Sequence, residues 1–182
     1  MLLAMKKITR AMVAVIAALT LIGPAAQHAA AQSATGNTAC GTPTHHQFDF
    51  WIGTWNVTQN GKAAGKNEIT AVLGGCALLE SWTGVGGVTG HSLNIYDATR
   101  DVWHQTWVDS SGALLILEGR FADGAMVLEG STIAEKGATP MRQRITWTLQ
   151  PGGTVRQLWQ SSSENSRTWK TEFDGTYKRV SP

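Results

Sequence analysis

The chain has 182 residues, 42% of them hydrophobic and 15% charged, which is one domain's length and enough for one sizeable core. Residues 1–31 hold three of the 15 Lys and Arg and none of the 13 Asp and Glu, so the rest of the chain carries 12 against 13. The overall pI near 8.7 therefore belongs to the leader, and nucleic acid and anionic membrane surfaces are not expected partners.

Lys6, Lys7 and Arg10 precede an apolar run from Ala11 to Ile22, and Ala29-Ala30-Ala31 completes the pattern of a signal peptide cleaved near Ala31. The run is short for a membrane span and no other follows, so the mature protein is expected to have no span and to be exported, periplasmic or secreted. Residues 32–47 are small and polar and read as a flexible N-terminal arm. Export would put Cys40 and Cys76 in an oxidising compartment where a disulfide can form. It would close a loop of about 35 residues and stabilise by roughly 3–4 kcal/mol in the chain-entropy model. Two free buried thiols are the alternative, because spacing does not supply the Cα separation that decides.

From Phe48 onward, short strand-like runs alternate with turn residues such as Gln59-Asn60-Gly61, Ala122-Asp123-Gly124 and Pro151-Gly152-Gly153. The pattern predicts strands over about 48–59, 64–73, 77–84, 89–97, 101–109, 113–121, 124–131, 142–150, 154–162 and 168–179. No segment holds a helical period long enough for a long helix. Ten strands joined by hairpin-length turns predict an all-β protein, a single antiparallel up-and-down barrel over residues 48–180 that closes to remove its edges. An open two-sheet sandwich is the alternative.

Alternation assigns inner faces. It puts Leu78, Glu80 and Trp82 inside on the third strand, and Trp103, Gln105 and Trp107 on the fifth. It puts Ile145, Trp147 and Leu149 inside on the eighth, Gln157 and Trp159 on the ninth, and Trp169, Thr171 and Phe173 on the tenth. The fourth strand stays open, with Asn94 and Tyr96 on one face and Leu93 and Ile95 on the other. An interior rich in Trp with scattered Gln and Glu suits a ligand cavity, because buried amides and carboxylates cost free energy unless paired. A filled barrel with the same polar groups satisfied by indole N–H is the alternative. The candidate ligand-binding residues are Glu80, Trp82, Asn94, Tyr96, Trp103, Gln105, Trp107, Gln157 and Trp159.

Gly53-Thr54-Trp55 on the first strand resembles the opening strand of the calycin superfamily, which includes lipocalins, fatty-acid-binding proteins and nitrobindins. The resemblance implies that Trp55 sits at the closed end of the barrel against a basic residue of the last strand, here Arg179, with a structural role worth about 0.5–2 kcal/mol. The runs His46-Gln47-Phe48-Asp49-Phe50-Trp51, Ser92-Leu93-Asn94-Ile95-Tyr96-Asp97, Gln105-Thr106-Trp107-Val108-Asp109 and Phe173-Asp174-Gly175-Thr176-Tyr177 resemble a family of exported bacterial proteins with a calycin-like barrel and no established chemistry. The chain departs from lipocalins and fatty-acid-binding proteins in having ten predicted strands and no helix or helical lid. It has no His after His104, so the haem ligand of nitrobindin-like proteins has no counterpart.

No nucleophile elbow, phosphate loop, dinucleotide fingerprint or His-Glu-x-x-His motif is present. His45, His46 and Asp49 form a weak metal-site pattern, since adjacent side chains on a strand point apart, and no metal or cofactor is expected. Glu80 is the candidate acid/base, because a carboxyl among Trp and Leu has a raised pKa; His104 points away from Trp103 and Trp107. The sequence therefore points to extracytoplasmic binding of a small, largely apolar or aromatic molecule. A cofactor-independent isomerase, cyclase or hydrolase using Glu80, and a structural envelope protein with a filled barrel, are the alternatives. Ligand identity and oligomeric state are not legible.

Overall fold

A computed structural model describes residues 38–133 and 136–180, so the expected signal peptide lies outside the described residues. Ten strands follow in chain order: β1 (Gly53–Gln59), β2 (Lys62–Val72), β3 (Ala77–Gly84), β4 (Thr89–Asp97), β5 (Val102–Asp109), β6 (Leu114–Ala122), β7 (Ala125–Thr132), β8 (Met141–Leu149), β9 (Val155–Ser163) and β10 (Lys170–Arg179). Each pairs antiparallel with its sequence neighbours, and β1 pairs with β10, so the meander closes into a barrel with no free edge. The turn chemistry explains the tight connections. Asn60-Gly61 and Asp123-Gly124 hold φ of 51° and 75°, and 51° and 77°, the paired positive values that match the twist of a two-residue hairpin.

The start of the barrel differs from the expectation. Pro43–His46 and Asp49–Trp51 are 3₁₀ turns, and β1 begins only at Gly53. A strand would send successive aromatic side chains to opposite faces, whereas a turn of three residues brings Phe48 and Trp51 to the same side. Both are fully buried beneath the barrel. Phe48 stacks on Trp51 with centroids 4.9 Å apart and meets Trp103 and Trp147 edge-on at 5.8 and 5.2 Å. The described part of the arm is tied down: Cys40 and Cys76 are disulfide-bonded with Cα atoms 5.2 Å apart, and His45 packs edge-on against Tyr96 at 5.1 Å.

Arg179 sits opposite Trp55 in the β1–β10 register, with Cζ 4.2 Å from the indole centroid. Its Nη1 donates to the Ile52 carbonyl at 2.8 Å, and Trp55 Nε1 donates to the Trp51 carbonyl at 2.9 Å. A Cβ at Gly53 (φ +143°) would overlap this guanidinium, which is why glycine stands there. Val57, Ile69, Leu117, Met126, Leu128 and Ile145 fill the barrel above this cap.

Trp169 corrects a second expectation. It precedes β10 and lies on the outer wall, 4.7 and 4.1 Å from the guanidinium carbons of Arg142 and Arg144. A register shift between Thr171 and Phe173 inserts an extra residue, so the alternation that carries Phe173 inward does not extend back to Trp169.

Candidate functional site

The fourth strand, ambiguous by itself, turns its polar face inward: Asn94 is 0% exposed and Leu93 51%. Its neighbours impose this. Ser92 pairs with Glu80 on β3 and Trp107 on β5, and Asn94 pairs with Leu78 and Gln105. Directly paired residues share a face, so the Trp-bearing faces of β3 and β5 fix that of β4. Leu93, Ile95, Val108, Leu114 and Ile116 are left on the outer wall, exposed. Burying amides while exposing aliphatic side chains inverts the usual pattern, and such inversions concentrate at functional sites.

Five of the buried polar residues, Asn67, Glu80, Ser92, Asn94 and Gln105, form one network across the barrel interior. Gln105 Nε2 donates to Asn94 Oδ1 at 2.8 Å, Asn94 Nδ2 to Ser92 Oγ at 2.9 Å, and Ser92 Oγ to Glu80 Oε2 at 2.6 Å. From the other side Asn67 Nδ2 donates to Glu80 Oε1 at 2.7 Å and approaches the Tyr177 hydroxyl at 3.5 Å, and Tyr177 donates to Gln157 Oε1. Every donor nearest Glu80 points at its carboxyl group. Burial drives the Glu80 pKa up, while the hydrogen bonds from Ser92 and Asn67 and the proximity of His91 oppose the rise. The Tyr177 phenol is pushed well above its ordinary value, first by burial and then by the nearby Glu80 charge. Asn67 Oδ1 is buried with no partner.

Above this floor the barrel ends in aromatic side chains that remain partly exposed: Trp82, Trp107, Trp159 and Phe173. Trp82 and Phe173 meet edge-to-face at 6.3 Å. Trp159 Nε1 donates to Gln143 Oε1 at 2.7 Å, and Gln143 Nε2 to Thr132 Oγ1 at 2.9 Å. A cleft of about 500 Å³ opens beside two of these rings, lined by Gln59, Asn60, Lys62, Ala63, Ala64, Trp82, Val85 and Phe173. A smaller cleft of about 200 Å³ lies at the capped end, among Thr44, Gln47, Tyr96, Asp101, Trp103, Arg120 and Phe121. There Tyr96 donates to Asp101 at 2.5 Å, a bond that raises the phenol pKa and lowers that of the carboxyl.

The nine residues singled out from the sequence thus fall into three groups. Trp82, Trp107 and Trp159 ring the mouth; Glu80, Asn94, Gln105 and Gln157 belong to the polar floor; Tyr96 and Trp103 lie at the capped end. Asn67, Ser92, Tyr177 and Gln143 escaped the sequence reading, and Phe173, which alternation puts inside, is not among its candidate binding residues. On β2 the signal was available: Lys66, Glu68 and Thr70 alternate with Gly65, Asn67 and Ile69, and a charged outer face puts Asn67 inside.

His46 pairs with Asp49 at 2.7 Å while His45 turns to Thr42 at 2.7 Å, so the two histidines do not converge. His104 bonds Glu118 and Thr106 on the outer wall at 3.0 and 2.8 Å. Among the described residues no helix is long and apolar enough to cross a membrane. No protein-family model matches the chain, and comparison with curated proteins finds no match.

Proposed function

We propose that this protein is an exported, calycin-like barrel that binds a small, largely apolar or aromatic molecule at its open mouth, against Trp82, Trp107, Trp159 and Phe173. The observation that carries this reading is the unequal filling of the barrel. One end is sealed by Phe48, Trp51, Trp55 and Trp147, all buried. The other leaves aromatic rings partly exposed over a hydrogen-bonded floor, beside a cleft of a size that accepts a small ligand. The Trp55–Arg179 stack at the sealed end and the ten-strand closed meander support the calycin-like assignment. The disulfide, which persists in oxidising compartments, supports export. Both Glu80 carboxyl oxygens are engaged within the floor, which favours an orienting role for that group over turnover.

Titration of intrinsic Trp fluorescence with 1-anilinonaphthalene-8-sulfonate, indole, naphthalene and a medium-chain fatty acid tests the reading. It predicts a saturable change with at least one of them, lost in a Trp82→Ala/Trp107→Ala variant. No response across the panel would contradict it. For export, N-terminal sequencing of protein expressed from the full chain should begin near Gln32; an intact N-terminus in the cytoplasm would contradict that part.

A further inference from the structure

Three glycines on the inner face at the mouth, Gly65, Gly90 and Gly175, lie beneath aromatic rings, and none needs its conformational freedom. All three are absent from the residues with positive φ, so φ at these positions is one that any L-residue adopts. Glycine in a strand interior weakens the sheet unless something must approach it closely. Here the something is a ring. A Cβ on Gly65 would lie 2.6 and 2.7 Å from Trp82 Cη2 and Cζ2, a Cβ on Gly90 would overlap Cζ2 and Cη2 of Trp107, and a Cβ on Gly175 would lie 2.5 Å from Phe173 Cζ. Each ring therefore reaches along the wall into the space over a glycine instead of standing into the lumen. Gly90 is also the direct cross-strand partner of Trp82, so glycines and aromatics alternate from β2 to β5, as Gly65, Trp82, Gly90 and Trp107.

We infer that Gly90 and Gly175 are specificity-determining residues: by seating Trp107 and Phe173 against the wall, they set the bore of the mouth and admit a ligand's aromatic ring. This rests on the binding reading above. Gly65 shares the arrangement, but a methyl there would also lie 2.5 Å from the Thr83 carbonyl oxygen, so its substitution would disturb the sheet. At Gly90 and Gly175 the nearest atoms are the far ends of side chains, with the Val108 carbonyl oxygen 3.0 Å from a Cβ at Gly90, so it is the rings that must swing away, and the direction left to them is the lumen.

The test uses 1-anilinonaphthalene-8-sulfonate as probe. Gly90→Ala and Gly175→Ala should each raise its Kd tenfold or more. Gly86→Ala should leave it unchanged, because a Cβ at Gly86 meets nothing within 4 Å. In a Phe173→Leu background no ring is left to displace, so adding Gly175→Ala should bring no further loss. This pair also keeps the test decisive where the single variant folds poorly. Wild-type affinity in both glycine variants, or a further tenfold loss in the Phe173→Leu background, would overturn the inference and leave the binding reading standing. A wild-type protein that does not bind the probe or any member of the panel would overturn both.

Discussion

The two ends of this barrel are built from the same residue type and do opposite things with it. At the capped end Trp51, Trp55, Trp103 and Trp147 interlock with Phe48 and Tyr177 until each is buried. At the mouth Trp82 and Trp107 lie against glycines, Trp159 is held by Gln143, and all three stay partly exposed. What separates the ends is what surrounds the rings. Rings packed on rings make a core; rings seated on glycine over a polar floor stay partly exposed. A count of tryptophans is therefore blind to the distinction, and the neighbours on adjacent strands decide it.

That contrast can be broken by substitution. The largest effect is expected at the cap, where Trp51→Ala should lower the urea-unfolding free energy by about 3–5 kcal/mol. Trp82→Ala at the mouth should remove less than about 2 kcal/mol, since its ring is only partly withdrawn from water. Equal losses would erase the difference between the ends. Next, Cys40→Ser/Cys76→Ser should reduce stability by roughly 3–4 kcal/mol by releasing the loop between them, and leave probe binding at the distant mouth unchanged. Arg179→Gln, which removes the cation over Trp55, should reduce stability by about 0.5–2 kcal/mol, again without altering binding.

The smallest effect distinguishes the floor from both ends. Burial raises the Glu80 pKa in the folded protein above its unfolded value, so between those two values the folded state holds a proton that the unfolded state has lost. Stability contributed by this group is complete below the unfolded pKa and declines as pH rises towards the folded one. Glu80→Gln removes the ionisation, so the difference in unfolding free energy, variant minus wild type, should grow as pH rises from 4 through the neutral range. A difference independent of pH would show that the carboxyl titrates alike in both states. Taking the difference matters, because Asp97, Asp101, Glu118 and Asp174, whose pKa values are lowered by ion pairs and hydrogen bonds, contribute slopes of opposite sign.

Most of the barrel was legible because its signals are local. Asn60-Gly61 and Asp123-Gly124 each mark a hairpin, and the alternation on β3, β5 and β9 places Glu80, Gln105 and Trp159 on the inner face without reference to any other strand. What escaped depends on something outside the element. Phe48–Trp51 reads as a strand by composition, but its aromatics are taken by the base of the barrel, and that demand selects a 3₁₀ turn. Trp169 follows the alternation of β10 until an extra residue near Glu172 breaks it. Asn94 faces inward because β3 and β5 do, which β4 alone cannot reveal. The site was legible as a set of residue types and illegible as a place. Nothing in the spacing separates Trp103, buried at the cap, from Trp107, four residues on at the mouth.

The most direct test of the contrast between the ends is a ¹⁵N NMR titration of the tryptophan indole N–H signals with 1-anilinonaphthalene-8-sulfonate. The signals of Trp82, Trp107 and Trp159 should shift in a saturable manner while those of Trp51, Trp55 and Trp147 stay in place. Shifts centred on the capped-end indoles, or none at saturating probe, would contradict a barrel sealed at one end and receptive at the other.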